Sequence, residues 1–146
     1  MGNKFVVVAA LILTFSLPGF AQSPQTQPVE EFAKGVADAF AAGELGRLDA
    51  ERPYVRTVRI RVEHSITGEV ESRSFKTLAA AGRWLTSRER DEGPARNGGT
   101  LRRCRRGVCT FEQEGMLHNN LYLQRITYGM RRGRPYVKAI HLIDGD

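Results

Sequence analysis

Thr57-Val58-Arg59-Ile60-Arg61-Val62-Glu63-His64, followed by Ser65-Ile66-Thr67-Gly68 and Val70-Glu71-Ser72-Arg73-Ser74-Phe75, decides the fold class of this chain. Tyr54, Val58, Ile60 and Val62 fall on one side of the first stretch, and Val55, Thr57, Arg59, Arg61 and Glu63 on the other. Alternation of period two marks a strand with one face buried and one in water. Thr67-Gly68 is turn chemistry, so Val70 to Phe75 reads as the returning strand of a hairpin. Its charged side, with Glu69, Glu71 and Arg73 beside Arg59 and Arg61, is expected to form exposed cross-strand ion pairs, which add little stability.

Helical spacing flanks this hairpin. Upstream, Val29, Phe32, Val36 and Phe40 recur at three- and four-residue intervals, the signature of an amphipathic helix. Pro28 suits its first turn, Glu30 and Glu31 suit the dipole there, and Gly43 suits its C-terminal cap. Leu45 and Leu48 are expected to add a short turn before Pro53. Downstream, Leu78, Ala81, Trp84 and Leu85 give a second helix from about Lys76 to Arg88, with Ser74 as its cap. Glu89 to Thr100 has loop composition.

Strand signals dominate the remainder. Leu101 to Cys104 and Val108 to Glu114 flank a cysteine hairpin, Leu117 or Asn120 to Tyr128 follows, and Pro135 to Ile143 closes the chain after a Gly129–Arg134 turn. The last strand is apolar on both sides, which places it inside a sheet or under a partner subunit and permits a homodimer. The expected fold is therefore α+β: an N-terminal helix and a second helix packed on one curved, cone-like antiparallel sheet of about five to six strands.

That order resembles the nuclear-transport-factor-two-like, or cystatin-like, superfamily. Phe40-Ala41-Ala42-Gly43-Glu44-Leu45 looks like the helix–Gly–acid–Leu opening of that fold, and Tyr128 to Ile143 looks like its last two strands. A longer second helix would stand between Gly43 and Pro53 in that pattern, so this chain departs from it along one wall of the pocket. The resemblance implies a cavity between helix and sheet, used for isomerase or dehydratase chemistry in some members and for non-catalytic binding in others.

The amino-terminal residues set the compartment. Lys4, the apolar run Phe5 to Leu17, the Pro18-Gly19 break and the small residues Gly19 and Ala21 form a secretory signal over residues 1–21, cleaved between Ala21 and Gln22. The run is shorter than the ~20 residues of a membrane span, so no transmembrane anchor is expected in the mature form. Residues 22–27 form a disordered leader and 28–146 a single domain, placed in the periplasm or outside the cell. In that oxidising setting Cys104 and Cys109 are expected to pair. Their hairpin brings the Cβ atoms within bridging range, and a ring this small adds only about 2 kcal/mol.

Charge is uneven along a chain whose formal net charge is +6. Arg96 to Arg106 holds Arg96, Arg102, Arg103, Arg105 and Arg106 without an acidic residue, whereas Gln22 to Glu51 is acid-rich. Arg102, Arg103, Arg105 and Arg106 around the disulfide form a preorganised anion site, with His118 and Asn119 as further candidate ligand contacts in a bend. An anionic envelope component or an acidic protein surface is the expected partner, and export removes the chain from nucleic acid. Catalytic candidates are His64, His141 and Glu112, a histidine beside a carboxylate serving as a general base in a cone-shaped pocket. His64 shares a side with Val58, Ile60 and Val62, and His141 stands among Val137, Ala139 and Ile143, so both are expected to point inward. No phosphate loop, zinc spacing or nucleophile motif is present, so no cofactor or metal is expected. A non-enzymatic binding domain is the favoured reading; a small-molecule isomerase, lyase or hydrolase is the alternative.

Overall fold

The computed structural model describes residues 26–53, 56–88, 95–116 and 120–145. The expected signal segment (residues 1–21), most of the expected leader, His118 and Asn119 lie outside these described residues. Helix α1 (Thr26–Ala41) is followed by a 3-10 helix (Leu45–Glu51), β1 (Val58–His64), β2 (Val70–Phe75), α2 (Leu78–Ser87), β3 (Arg96–Asn97), β4 (Thr100–Arg105), β5 (Val108–Glu112), β6 (Leu121–Arg131) and β7 (Arg134–Asp144). These helices pack on one open sheet of order β2-β1-β7-β6-β5-β4, with β3 added against β6. The architecture is α+β.

The sheet is mixed rather than wholly antiparallel. β1 runs parallel to β7, and β3 runs parallel to β6. Hairpins dictate antiparallel pairing only within themselves, whereas β1 and β7 are joined through the rest of the domain and are free to run parallel. β7 occupies the interior position that its apolar residues required, between β1 and β6.

Helix α1 begins at Thr26, two residues ahead of Pro28, so its first turn carries no acid and Glu30 and Glu31 fall one turn later. It ends in a Schellman arrangement: Glu44 N–H donates to Ala39 O at 2.7 Å and Gly43 N–H to Phe40 O at 3.1 Å, with Gly43 at φ 72°. Val29, Ala33, Val36 and Phe40 face the sheet and join Ile60, Leu123, Ile126, Ile140 and Leu142 in one continuous core. Burying a side chain such as Phe40 contributes about 2–3 kcal/mol. Helix α2 starts at Leu78 because β2 runs on through Phe75; Thr77, rather than Ser74, is its N-cap and accepts from Ala80 N–H at 3.0 Å.

One buried charge ties these parts together. The Arg52 side chain is 4% exposed. It donates to Val137 O on β7 at 3.2 Å, Lys76 O before α2 at 3.3 Å and Arg56 O before β1 at 2.7 Å. Asp49 stands 3.6 Å from its guanidinium and accepts from Leu78 N–H at 2.6 Å and Ala79 N–H at 2.9 Å. Asp49 thereby satisfies two of the four free amides that every helix start leaves. Arg52→Leu strands three carbonyls and a carboxylate, and should cost about 3–5 kcal/mol in urea unfolding. Arg47→Leu, at the exposed pair with Glu44, should stay within about 0.5 kcal/mol.

Candidate functional site

The sheet has two unlike faces. Its inner face meets both helices through Val58, Ile60, Val62, Cys109, Phe111, Ile126, Val137 and Ile140. Three β-bulges determine what its outer face carries. Register shifts insert Arg102 between Leu101 and Arg103 on β4, Gln124 between Leu123 and Arg125 on β6, and Lys138 into β7 opposite the Thr127–Tyr128 step. A bulge lets two successive residues share one side. Arg103, Arg125 and Ala139 consequently point outward, while Cys104, Ile126 and Ile140 return to the core.

Register then assembles two rows across the sheet. One runs Ser72, Arg61, His141, Arg125, Thr110, Arg103; the next runs Ser74, Arg59, Ala139, Thr127, Val108, Arg105. Arg59, Arg61, Arg103, Arg105 and Arg125 are exposed. Among the described residues, Arg59, Arg103, Arg105 and Arg125 have no carboxylate within ion-pair distance, and Arg61 reaches Glu63 only at 4.0 Å.

The tips at one end of the sheet add to this charge. Arg106-Gly107 joins β4 to β5 with φ of 51° and 80°, and Arg132-Gly133 joins β6 to β7 with φ of 51° and 75°. Positive φ at both central residues is the type I′ hairpin turn, whose preferred first residue is asparagine. Each tip therefore holds an arginine in a left-handed conformation that costs a β-carbon-bearing residue roughly 1 kcal/mol. The first tip lies against β6 at Tyr128, whose N–H donates to Gly107 O at 2.9 Å, and the β6–β7 hairpin runs on beyond it to the second. Arg131 and Arg134 face each other directly below the second tip, a like-charge pairing that opposes folding.

Cys104 and Cys109 are disulfide-bonded, with Cα atoms 4.0 Å apart. They oppose each other one step below the Arg105–Val108 pair that closes the turn, at a non-hydrogen-bonded position where side chains approach most closely. Cys109 is fully buried and Cys104 packs against the core. The bond thus lies on the inner face, beneath the strands that present Arg103 and Arg105 outward, and is part of the core as well as a loop clamp.

The histidines are not brought together with Glu112. His141 is on the outer face, because the Lys138 bulge separates it from the inward Val137. Its Nε2 lies 3.2 Å from Glu63 Oε2 on β1, so Glu63 is its carboxylate neighbour. His64 lies on the inner side at the far end of β1, with Nδ1 3.6 Å from Asp144 Oδ2. Glu112 is exposed opposite Thr100. The space between α1 and the sheet, where the cone resemblance implies a cavity, is filled by Val29, Val36, Phe40, Leu123 and Ile126. A groove of about 490 Å³ lies elsewhere, between the 3-10 helix and α2, lined by Gly43, Gly46, Arg47, Gly82 and Thr86. Glu71 and Arg73 also depart from the expected outer ion-pair face. They flank β2 on the helix side, where Arg73 and Arg88 stack on Trp84 at 5.4 and 4.9 Å and Arg88 pairs with Glu71.

Compared with protein-family models, curated proteins and solved structures, the chain matches none. Among the described residues no group of three or more His, Cys, Asp or Glu side chains gathers as metal ligands. No described helix is long and apolar enough to cross a membrane.

Chemically, the outer face holds hydrogen-bond donors around one imidazole. Burial, and then the charges of Arg61 and Arg125, hold His141 below the ordinary histidine value of 6.5, with Glu63 opposing them. A carboxylate only accepts, so neutral His141 carries its proton on Nε2 towards Glu63. Depression of the folded value means the unfolded chain binds the proton more readily. The stability His141 contributes is complete above pH 6.5 and is lost as pH falls from there through the folded value. The fall in melting temperature from pH 7.5 to pH 5 should accordingly be smaller in His141→Gln, which keeps a donor for Glu63, than in the parent.

Proposed function

We propose that this chain is an exported, non-enzymatic binding domain that captures an anionic partner of the cell envelope on the outer face of its sheet. One observation carries the reading: the register aligns Arg61, Arg125 and Arg103 in a row with His141 and Thr110, on the face that no described helix covers. Guanidinium groups make forked, charge-assisted contacts with sulfate, phosphate and carboxylate. Aligned on a rigid sheet, they lose little freedom on binding. Their mutual repulsion in the free protein is relieved when an anion arrives. Export is supported by the signal pattern of residues 1–21 and by the disulfide.

Two measurements test this. The Arg61→Glu/Arg103→Glu/Arg125→Glu variant should elute from an anionic sulfate matrix at far lower salt than the parent, while Arg47→Glu/Arg83→Glu on the helix side should elute close to it. Equal displacement by both variants would refute a face-specific site and leave only net charge. The hairpin tips give an independent readout. Arg106→Asn/Arg132→Asn places the preferred residue in both turns, and should raise stability by about 1 kcal/mol while weakening retention on the same matrix.

A further inference from the structure

The arrangement of the row says more than that anions bind. Arg61 is on β1, Arg125 on β6 and Arg103 on β4, so the three guanidinium-bearing positions recur at every second strand. Neighbouring strands lie about 4.8 Å apart, which spaces these positions by roughly 10 Å and the whole row by roughly 19 Å. Thr110 and His141 stand in the gaps, Thr127 offers a hydroxyl in the neighbouring row, and Ser72 and Ser74 offer theirs at the β2 end of the two rows. The row runs perpendicular to the strands, and its end residues Ser72 and Arg103 are exposed.

We infer that the partner is a linear anionic polysaccharide lying across the strands, its sulfate or uronate groups meeting Arg61, Arg125 and Arg103 in turn and its hydroxyls meeting Thr127 beside the row and Ser72 and Ser74 at its β2 end. This inference rests on the arginine-face reading above. Other polyanions fit less well. Single-stranded nucleic acid is held by bases stacked on aromatic side chains, and these rows carry none. The nearest aromatics on this face, Tyr122 and Tyr136, are 2% and 6% exposed, and the Tyr136 ring lies over Gly129 so closely that a β-carbon there would come within 2.6 Å of it. A bilayer surface is held by inserted apolar side chains together with charge, and the apolar members of these rows, Ala139 and Val108, are half-buried.

Titration of the mature chain with size-graded heparin oligosaccharides, followed by calorimetry, tests the geometry. Affinity should rise at least about tenfold between the disaccharide and an oligomer long enough to cover all three arginines, then level off. Arg125→Gln, which removes the central contact, should lower affinity for the long oligomer by about tenfold and flatten the length dependence. Arg83→Gln, on α2, should change neither. Binding of free sulfate or the disaccharide as tightly as the long oligomer would overturn the linear partner but leave the anion-binding face standing. Failure of every sulfated probe would overturn that face as well. Tighter binding of single-stranded DNA or of phosphatidylglycerol vesicles than of the long oligosaccharide would replace the polysaccharide by that partner.

Discussion

A guanidinium sealed beneath the sheet is the constraint on which this domain depends. Arg52 is charged at every accessible pH, and its side chain is removed from water. A charge in that position persists only if its donors are satisfied, and it is satisfied by carbonyls from three separate segments: β7, the approach to β1 and the approach to α2. None of those segments can move alone. The parallel pairing of β1 with β7 joins distant parts of the chain, which carries a loop-closure cost that hairpins avoid. Arg52 and Asp49 sit beside that junction and hold the start of α2 to it, so the polar cluster specifies an alignment that apolar contacts would leave to slide.

Much of the fold was legible because hydrophobic periodicity is local. Val58-Arg59-Ile60-Arg61-Val62 and the helical spacing of Val29, Val36 and Phe40 each report their own element. The Arg52 cluster was not legible, since nothing beside Arg52 in the chain distinguishes it from the many surface arginines; two of its three carbonyl partners are 24 and 85 residues away. Parallel pairing of β1 with β7 escaped for the same reason. The bulges are an intermediate case. Leu101-Arg102-Arg103-Cys104, Leu123-Gln124-Arg125-Ile126 and Val137-Lys138-Ala139-Ile140 all separate two inward residues by two outward ones. Strict alternation cannot do that within a strand, so the repeated three-residue step is a readable sign of a bulge. Reading β7 without it sends His141 inward with Val137. Reading it with the bulge sends His141 to the arginine face.

The two faces of the β4–β5 hairpin divide stability from recognition. Cys104 and Cys109 fall on the inner side, where their bond joins the core, and Arg103 and Arg105 fall on the outer side, where their charges oppose one another. The same division recurs along β6, between Ile126 and Arg125. A sheet selected for stability alone would pair these arginines with carboxylates or replace them. This one keeps left-handed arginines at both hairpin tips and a like-charge pair below one of them. Local cost is thus concentrated on this side of the hairpins and their tips, while a disulfide and a buried polar cluster support the fold beneath, which is an observation the proposed binding role rests on.

His141 joins the two sides of that balance. Burial, and then the arginines beside it, lower the affinity of its imidazole for a proton, so above pH 6.5 the row presents its charges at the arginines and a neutral ring between them. An anion bound across Arg61 and Arg125 would screen the repulsion that keeps the proton away. Proton uptake at His141 and anion capture must then favour each other, because linkage is reciprocal. Glu63 limits the effect from the β1 side, since it already supplies one negative neighbour at 3.2 Å. In the proposed binding role the face is a fixed array of guanidinium charges with one adjustable position, and acidification would tighten its hold on an anion while loosening the fold that presents it.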